Sequence, residues 1–180
     1  MFAQRRPLPL QVSARVLREA LYSDGSEFAE AFNHETRRTN ATTDKWSHRS
    51  GVWERSVSYT AARSVLVAAH RVTEHQRMTV KHDCCVLDAV AHTPDVPFGA
   101  TFVTKTRCVI LPIVLSSQGG QPVAGSRMQM SFEVQWVAPP PRIRGAIVSG
   151  ARNGILQAFD VYTKVLQRHL QVGPIAAQVC

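Results

Sequence analysis

The stretch Ser126-Arg127-Met128-Gln129-Met130-Ser131-Phe132-Glu133-Val134-Gln135-Trp136-Val137 decides the fold. Met128, Met130, Phe132, Val134 and Trp136 alternate with Arg127, Gln129, Ser131, Glu133 and Gln135, so one face is apolar and the other polar. A period of two with one wet face predicts a strand in an antiparallel sheet. Working back along the chain, the same pattern recurs. Phe102, Cys108 and Ile110 oppose Lys105 and Arg107; Cys85, Leu87, Ala89 and Ala91 share a parity that Asp88 avoids. Val72, Met78 and Val80 share a face with Glu74 and Gln76, and Trp53, Arg55, Val57 and Tyr59 share another. Thr93-Pro94-Asp95-Val96-Pro97 and Ser116 to Gly125, with Gly119-Gly120, read as connections between strands.

The two ends are helical. Val12, Val16, Leu17, Ala20 and Leu21 predict a helix over about 11–22. Asp24, with Glu27 three residues on, predicts the cap of a second short helix carrying Phe28, Ala29, Ala31 and Phe32, and 33–45 reads as a polar loop. After Pro139-Pro140-Pro141, residues 143–170 keep Ile143, Ile147, Ala151, Ile155, Ala158, Tyr162, Val165 and Leu166 on one face, with Gly173-Pro174 as the stop. Gly145, Gly150 and Gly154 each cost ~1 kcal/mol relative to alanine. Their small size predicts a helix lying close against the sheet. Short helices, consecutive strands and one long helix make an α+β fold with the helix on one sheet face.

The chain has 180 residues, 44% of them hydrophobic and 19% charged, enough for one domain with its own core and too apolar for disorder. It carries 21 Lys+Arg against 13 Asp+Glu, a net charge of +8. Residues 1–95 hold 13 basic and 11 acidic groups; residues 96–180 hold 8 and 2. A basic half favours an anionic partner, whether nucleic acid, acidic protein or lipid head group. No stretch reaches the ~18 apolar residues of a membrane span, and Met1 to Val16 lacks the apolar core of a secretory signal. Cys84, Cys85, Cys108 and Cys180 form no Cys-x-x-Cys pair, which predicts a reduced, cytoplasmic protein with no bound metal and small apolar thiols in its strands. The Asn40-Ala41-Thr42 sequon then reads as chance.

Catalytic motifs are missing: there is no G-x-S-x-G, P-loop or H-E-x-x-H. His92 with Asp95 is a weak pair without a nucleophile. Glu74, on an otherwise apolar face, reads either as a partner for Arg55 or as an anchor for a ligand hydroxyl. Nucleic-acid binding requires exposed stacking aromatics among basic groups. Trp53, Tyr59, Phe102, Phe132 and Trp136 all fall on the apolar parity of their strands and are expected to be buried, which argues against that partner.

Several motifs, in order, carry a family resemblance. They are Leu21-Tyr22-Ser23-Asp24-Gly25-Ser26-Glu27-Phe28, Trp46, Arg55-Ser56-Val57-Ser58-Tyr59-Thr60, Thr93-Pro94-Asp95-Val96-Pro97-Phe98-Gly99-Ala100-Thr101-Phe102, Val134-Gln135-Trp136 and Ile143-Arg144-Gly145-Ala146-Ile147. Together they resemble the VASt domain, the START-related sterol-transfer module of Lam and Aster proteins, over about residues 8–170 of a single domain spanning 1–180. The resemblance implies a START-like helix-grip fold, a curved antiparallel sheet around a long C-terminal helix with two short N-terminal helices. It implies a non-enzymatic, cofactor-free, monomeric carrier that binds one sterol and exchanges it between membranes. The wall would be Trp53, Tyr59, Phe102, Phe132, Val134, Trp136, Ile147, Ala151 and Ile155, with Glu74 or Gln76 meeting the hydroxyl. It further implies a cytoplasmic domain at the membrane periphery, in a parent protein held in the endoplasmic reticulum membrane at contact sites. The family's Gly-Pro-Lys-x-Thr lid is replaced here by Ala61 to Ala69. In that segment Arg63, Val65, Leu66 and Val67, together with Arg142 and Arg144, are the expected contacts to an anionic membrane. The alternatives are a START-superfamily enzyme using Glu74 with His92, or a basic module that binds an acidic partner.

Overall fold

The computed structural model describes residues 3–4, 7–63, 67–116 and 121–170. Among them nine strands form one antiparallel sheet: β1 (Ala3–Gln4), β2 (Leu8–Leu10), β3 (Thr39–Thr43), β4 (Ser47–Arg49), β5 (Val52–Ala61), β6 (His70–Lys81), β7 (Cys84–His92), β8 (Phe102–Ser116) and β9 (Pro122–Trp136). The order is β1-β9-β8-β7-β6-β5-β3, with β2 also on β9 and β4 also on β5. From β5 to β9 every strand pairs with its sequence neighbour, so each connection is a simple reversal. Three helices complete the chain: α1 (Ala14–Tyr22), α2 (Glu27–Glu35) and α3 (Arg144–His169). This is the expected helix-grip fold.

The predicted parities hold across the sheet. Registers Tyr59↔Val72, Glu74↔Ala91, Leu87↔Cys108 and Thr106↔Phe132 put the apolar positions on one continuous inner face. The long β8–β9 ladder runs from Phe102↔Trp136 to Ser116↔Pro122, so the strands extend well into the segment read as a connection. Gly119-Gly120 and Gly173-Pro174 lie outside the described residues.

Three local expectations are corrected. Residues 39–43 form a strand rather than part of a loop, followed by a second short strand at 47–49; every residue in both is exposed, so no alternation marks them. Ser26, not Asp24, caps α2: its Oγ accepts the Ala29 N–H at 3.3 Å and donates to the Ala20 carbonyl at 2.6 Å. Gly25, at φ +69°, turns the chain between them, and Asp24 instead accepts the Trp46 N–H at 3.4 Å. The glycines of α3 do not mark a close approach either. A Cβ built on Gly145, Gly150 or Gly154 meets nothing within 4 Å.

The packed core gathers at one end of the grip. Leu10, Ala14, Leu17, Leu21, Met78, Cys85, Leu87, Ile110, Met128, Val165 and Leu166 form one buried cluster. α3 joins it only through its C-terminal half, where Phe159, Val165 and Leu166 are its buried residues. There Tyr162 packs edge-on against Phe28 at 4.7 Å and Phe32 at 5.3 Å, fixing α3 to α2. Arg168 adds an exposed ion pair to Glu35, which holds that carboxyl below its usual range. Such a surface pair adds little stability. Cys84, Cys85 and Cys108 are free thiols. Burial pushes Cys85 up to about 12 and Cys108, despite a bond from Tyr22, up to about 11, in line with their reading as apolar core.

The turn from Thr93 to Thr101 is bound tightly to itself. Val96 N–H bonds the Thr93 carbonyl, Gly99 N–H bonds that of Val96, and Thr101 N–H and Oγ1 both bond that of Phe98. A Cβ on Gly99 would meet the Thr93 carbonyl oxygen at 1.9 Å, so no other residue fits there. Beside it Phe98 sits at φ +62°, a left-handed conformation that costs a non-glycine residue ~1–2 kcal/mol.

Candidate functional site

Away from the packed core, the inner face is incompletely covered. Tyr59, Val72, Ala89, Phe102 and Phe132 are buried but stand outside the main cluster. Between them Glu74, Gln76, Ala91, Thr104, Thr106, Val134 and Trp136 are only half-buried, although they point to the side on which α3 lies. α3 buries no side chain before Phe159. Ile147, Ala151 and Ile155 are half-buried along the same stripe, four residues apart, which puts them on one face of the helix. Phe132 meets Phe159 edge-on at 6.3 Å, and Phe102 meets Trp136 at 5.8 Å.

Of the nine expected wall residues, Tyr59, Phe102, Phe132, Val134 and Trp136 share the inner face of the sheet, and Ile147, Ala151 and Ile155 share the half-buried stripe of α3. Trp53 departs from expectation. It is 37% exposed rather than buried, because the facing strand β4 is a short edge strand, and its ring lies tilted against that of His48 at a centroid distance of 4.5 Å.

A polar strip crosses this face on β5 and β6. The Tyr59 hydroxyl donates to Glu74 Oε1 at 2.8 Å, Gln76 Nε2 donates to Glu74 Oε2 at 3.1 Å, and Arg55 Nε donates to Gln76 Oε1 at 2.9 Å. Arg55 therefore reaches Glu74 through Gln76. Desolvation lowers the Arg55 pKa, opposed by Asp24, Tyr22 and Glu74, while burial and then Glu74 push Tyr59 far above its ordinary range. Two arginines stack on rings around the strip. Arg38 lies 3.8 Å over the Tyr59 ring and 4.6 Å over that of Phe32; Arg55 lies 4.2 Å over Trp46, whose Nε1 donates to the Tyr22 carbonyl at 2.6 Å. Arg38 and Trp46 fall in segments without periodicity; the family resemblance singles out Trp46, and no sequence signal points to Arg38. Both oxygens of Glu74 are engaged, whereas Arg55 and Gln76 keep N–H groups for an incoming acceptor.

The residues considered for acid–base work do not meet. Glu74 pairs in register with Ala91, so His92, one residue on, points to the opposite face. There His92 packs against His75 at 5.7 Å, and Asp95 accepts the Arg71 N–H and pairs with its guanidinium. Among the described residues no cluster of metal-ligating side chains forms. An open groove of about 490 Å³ lies around β4–β6, lined by Asp44, Lys45, Glu54, His75 and Arg77 among others. Its mixed charges suit no apolar ligand.

Of the expected membrane contacts, Arg63, Arg142 and Arg144 are exposed and Val67 is half-buried; Val65 and Leu66 lie outside the described residues. No described helix is long and apolar enough to cross a membrane.

Comparison with known proteins agrees with this fold. The solved structure of a conserved protein from Geobacillus kaustophilus superposes with a TM-score of 0.54 at 8% identity, covering 95% of each chain; at that identity the likeness is one of fold. A C2 and GRAM domain-containing protein of Arabidopsis thaliana is 35% identical over 121 residues, 66% of this chain and 11% of that protein, so the chain spans about a tenth of its relative. The family model described as VAD1 Analog of StAR-related lipid transfer domain matches residues 9–154. VASt domains are lipid-binding modules found in membrane-associated proteins. With most of its length matched and the helix-grip fold in place, the chain belongs to the VASt family.

Proposed function

We propose that the chain takes up one sterol, or a lipid of similar size, between the inner face of the sheet and the first half of α3, and carries it between membranes. One observation supports this most: Glu74, Gln76, Ala91, Thr104, Thr106, Val134 and Trp136 stay half-buried on the inner face, and α3 buries no side chain before Phe159. Tyr59, Phe102, Phe132, Val134 and Trp136 form the sheet wall, Ile147, Ala151 and Ile155 the helix wall, and Trp53 the rim. The Arg55–Gln76–Glu74 strip meets the hydroxyl, which accepts from a free N–H.

The function follows from solvation. A sterol is nearly all apolar surface, which water opposes at ~25 cal/mol per Å². A protein lining that replaces water lowers the barrier to leaving a bilayer, and no bond is made or broken. The carrier works as a monomer without a cofactor, in the cytoplasm at the membrane surface. Arg63, Arg142 and Arg144 face an anionic bilayer. The family's occurrence in membrane-associated proteins supports the membrane setting; the proposed parent protein is held at a contact site of the endoplasmic reticulum.

The test is transfer of a fluorescent sterol between vesicles without nucleotide or metal. Phosphatidylserine in either vesicle population speeds transfer and added salt slows it, since exposed charges are screened beyond ~8 Å at physiological ionic strength. Transfer no faster than the spontaneous rate contradicts the proposal.

A further inference from the structure

Four large apolar side chains are left in water at one end of the grip: Phe98 is 47% exposed, Val137 59%, Ile143 52% and Val148 39%. Because β5 to β9 alternate in direction, the connections after β5, β7 and β9 all emerge at this same end, away from the packed core. Hydrogen bonds join them. Val137 and Ala138 both donate to the Thr101 carbonyl, Thr101 bonds back to Phe98, and Arg71 ties the Asp95 side of the turn to β6. Ile143 and Val148 follow at the start of α3.

Phe98 is the unusual member. It carries a left-handed backbone and a half-exposed ring, two costs at one residue, on a turn so tightly closed that Gly99 tolerates no side chain. Strain held in place by rigid surroundings concentrates where a surface does work. Charge supplies the other half of the argument. From Glu133 to Asp160 the chain has Arg142, Arg144 and Arg152 and no carboxylate between them. Arg63, exposed after β5, adds another cation, and the nearby acid Asp95 is paired with Arg71.

We propose that this end is a bilayer-docking face whose leading element is the Phe98 turn. Phe98, Val137, Ile143 and Val148 enter the interfacial layer of an anionic membrane, and the arginines remain at head-group level. This orients the proposed lipid site with the N-terminus of α3 toward the donor membrane. It rests on the lipid-transfer reading for its purpose, while docking itself is measured separately.

The experiment is co-sedimentation of the full chain with phosphatidylcholine vesicles, with and without phosphatidylserine. Uptake of a fluorescent sterol from a cyclodextrin complex is measured in parallel. Wild type binds the anionic vesicles, less so in high salt. Phe98→Ser and, independently, Ile143→Ser reduce that binding about tenfold, as expected for one inserted side chain, and Phe98→Leu restores most of it. Sterol uptake from cyclodextrin stays at the wild-type level in all three, which also certifies the fold. Vesicle binding by both serine variants equal to wild type overturns the docking face. So does a vesicle-independent dimer or a complex with an acidic protein that Phe98→Ser abolishes while vesicle binding persists. Loss of sedimentation in variants of a chain that takes up no sterol leaves docking standing and removes the transfer reading instead.

Discussion

Ala151→Trp is expected to cut sterol uptake at least tenfold while leaving the thermal midpoint within a few degrees of wild type. Ala151 lies on the stripe Ile147–Ala151–Ile155, half-buried over the polar and aromatic inner face, on the part of α3 that buries no side chain. An indole added to a close-packed interface forces its neighbours off their rotamers and costs stability. Added to a space meant for a ligand, it fills that space at little cost and excludes the ligand. The two cases separate in one pair of measurements, a fluorescent-sterol titration and a thermal melt. Unchanged uptake by a folded Ala151→Trp removes Ala151 from the wall. A collapse of the melting temperature shows that the first half of α3 is packed core.

Leu166→Ala is expected to destabilise the chain by about 3 kcal/mol, lowering the melting temperature by roughly 10 °C. Leu166 is fully buried in the cluster with Leu10, Leu17 and Ile110, so truncation leaves a cavity that the surrounding side chains cannot close. The same kind of truncation at Ile147 is expected to cost less than about 1 kcal/mol, because Ile147 keeps part of its surface in water. The contrast between two aliphatic truncations on one helix measures how unevenly α3 is held. Urea titrations of both variants decide it. Equal losses mean that α3 is gripped along its whole length, with no room for a lipid beneath its first half.

The sequence is most legible where one face is wet. Met128 to Trp136 alternate because β9 buries one side, and the same rule gives Tyr59, Leu87 and Phe132 the apolar parity of their strands and Glu74 the apolar parity of its own, which the register joins into one face. It fails where both faces are wet. Thr39–Thr43 and Ser47–Arg49 alternate nothing, since the β5 backbone and not a core holds them. It misleads at the glycines of α3: small residues fit a close contact and a loosely covered helix equally well, and only the empty space around Gly150 and Gly154 separates the two. Trp53 shows a related limit, for parity gives the face but not how far the neighbouring strand extends to cover it.

Within the proposed site, the shared parity of the apolar residues is readable in the sequence and the polar strip only in part. Glu74 and Gln76 stand out as polar residues on an apolar parity. Their supports, Arg38 over Tyr59 and Arg55 over Trp46, join residues that sequence spacing does not connect. The basic half was visible in the counts, whereas the exposed ring of Phe98 at its strained turn emerges only from the folded chain.

The most direct test of the central claim is a native mass spectrum of the purified chain after incubation with sterol-containing vesicles, followed by extraction and identification of whatever it carries. The account predicts a protein peak raised by the mass of one sterol, which Ala151→Trp lacks and Phe98→Ser retains when loaded from cyclodextrin. A chain that leaves sterol-rich vesicles with no lipid bound, while correctly folded, contradicts it.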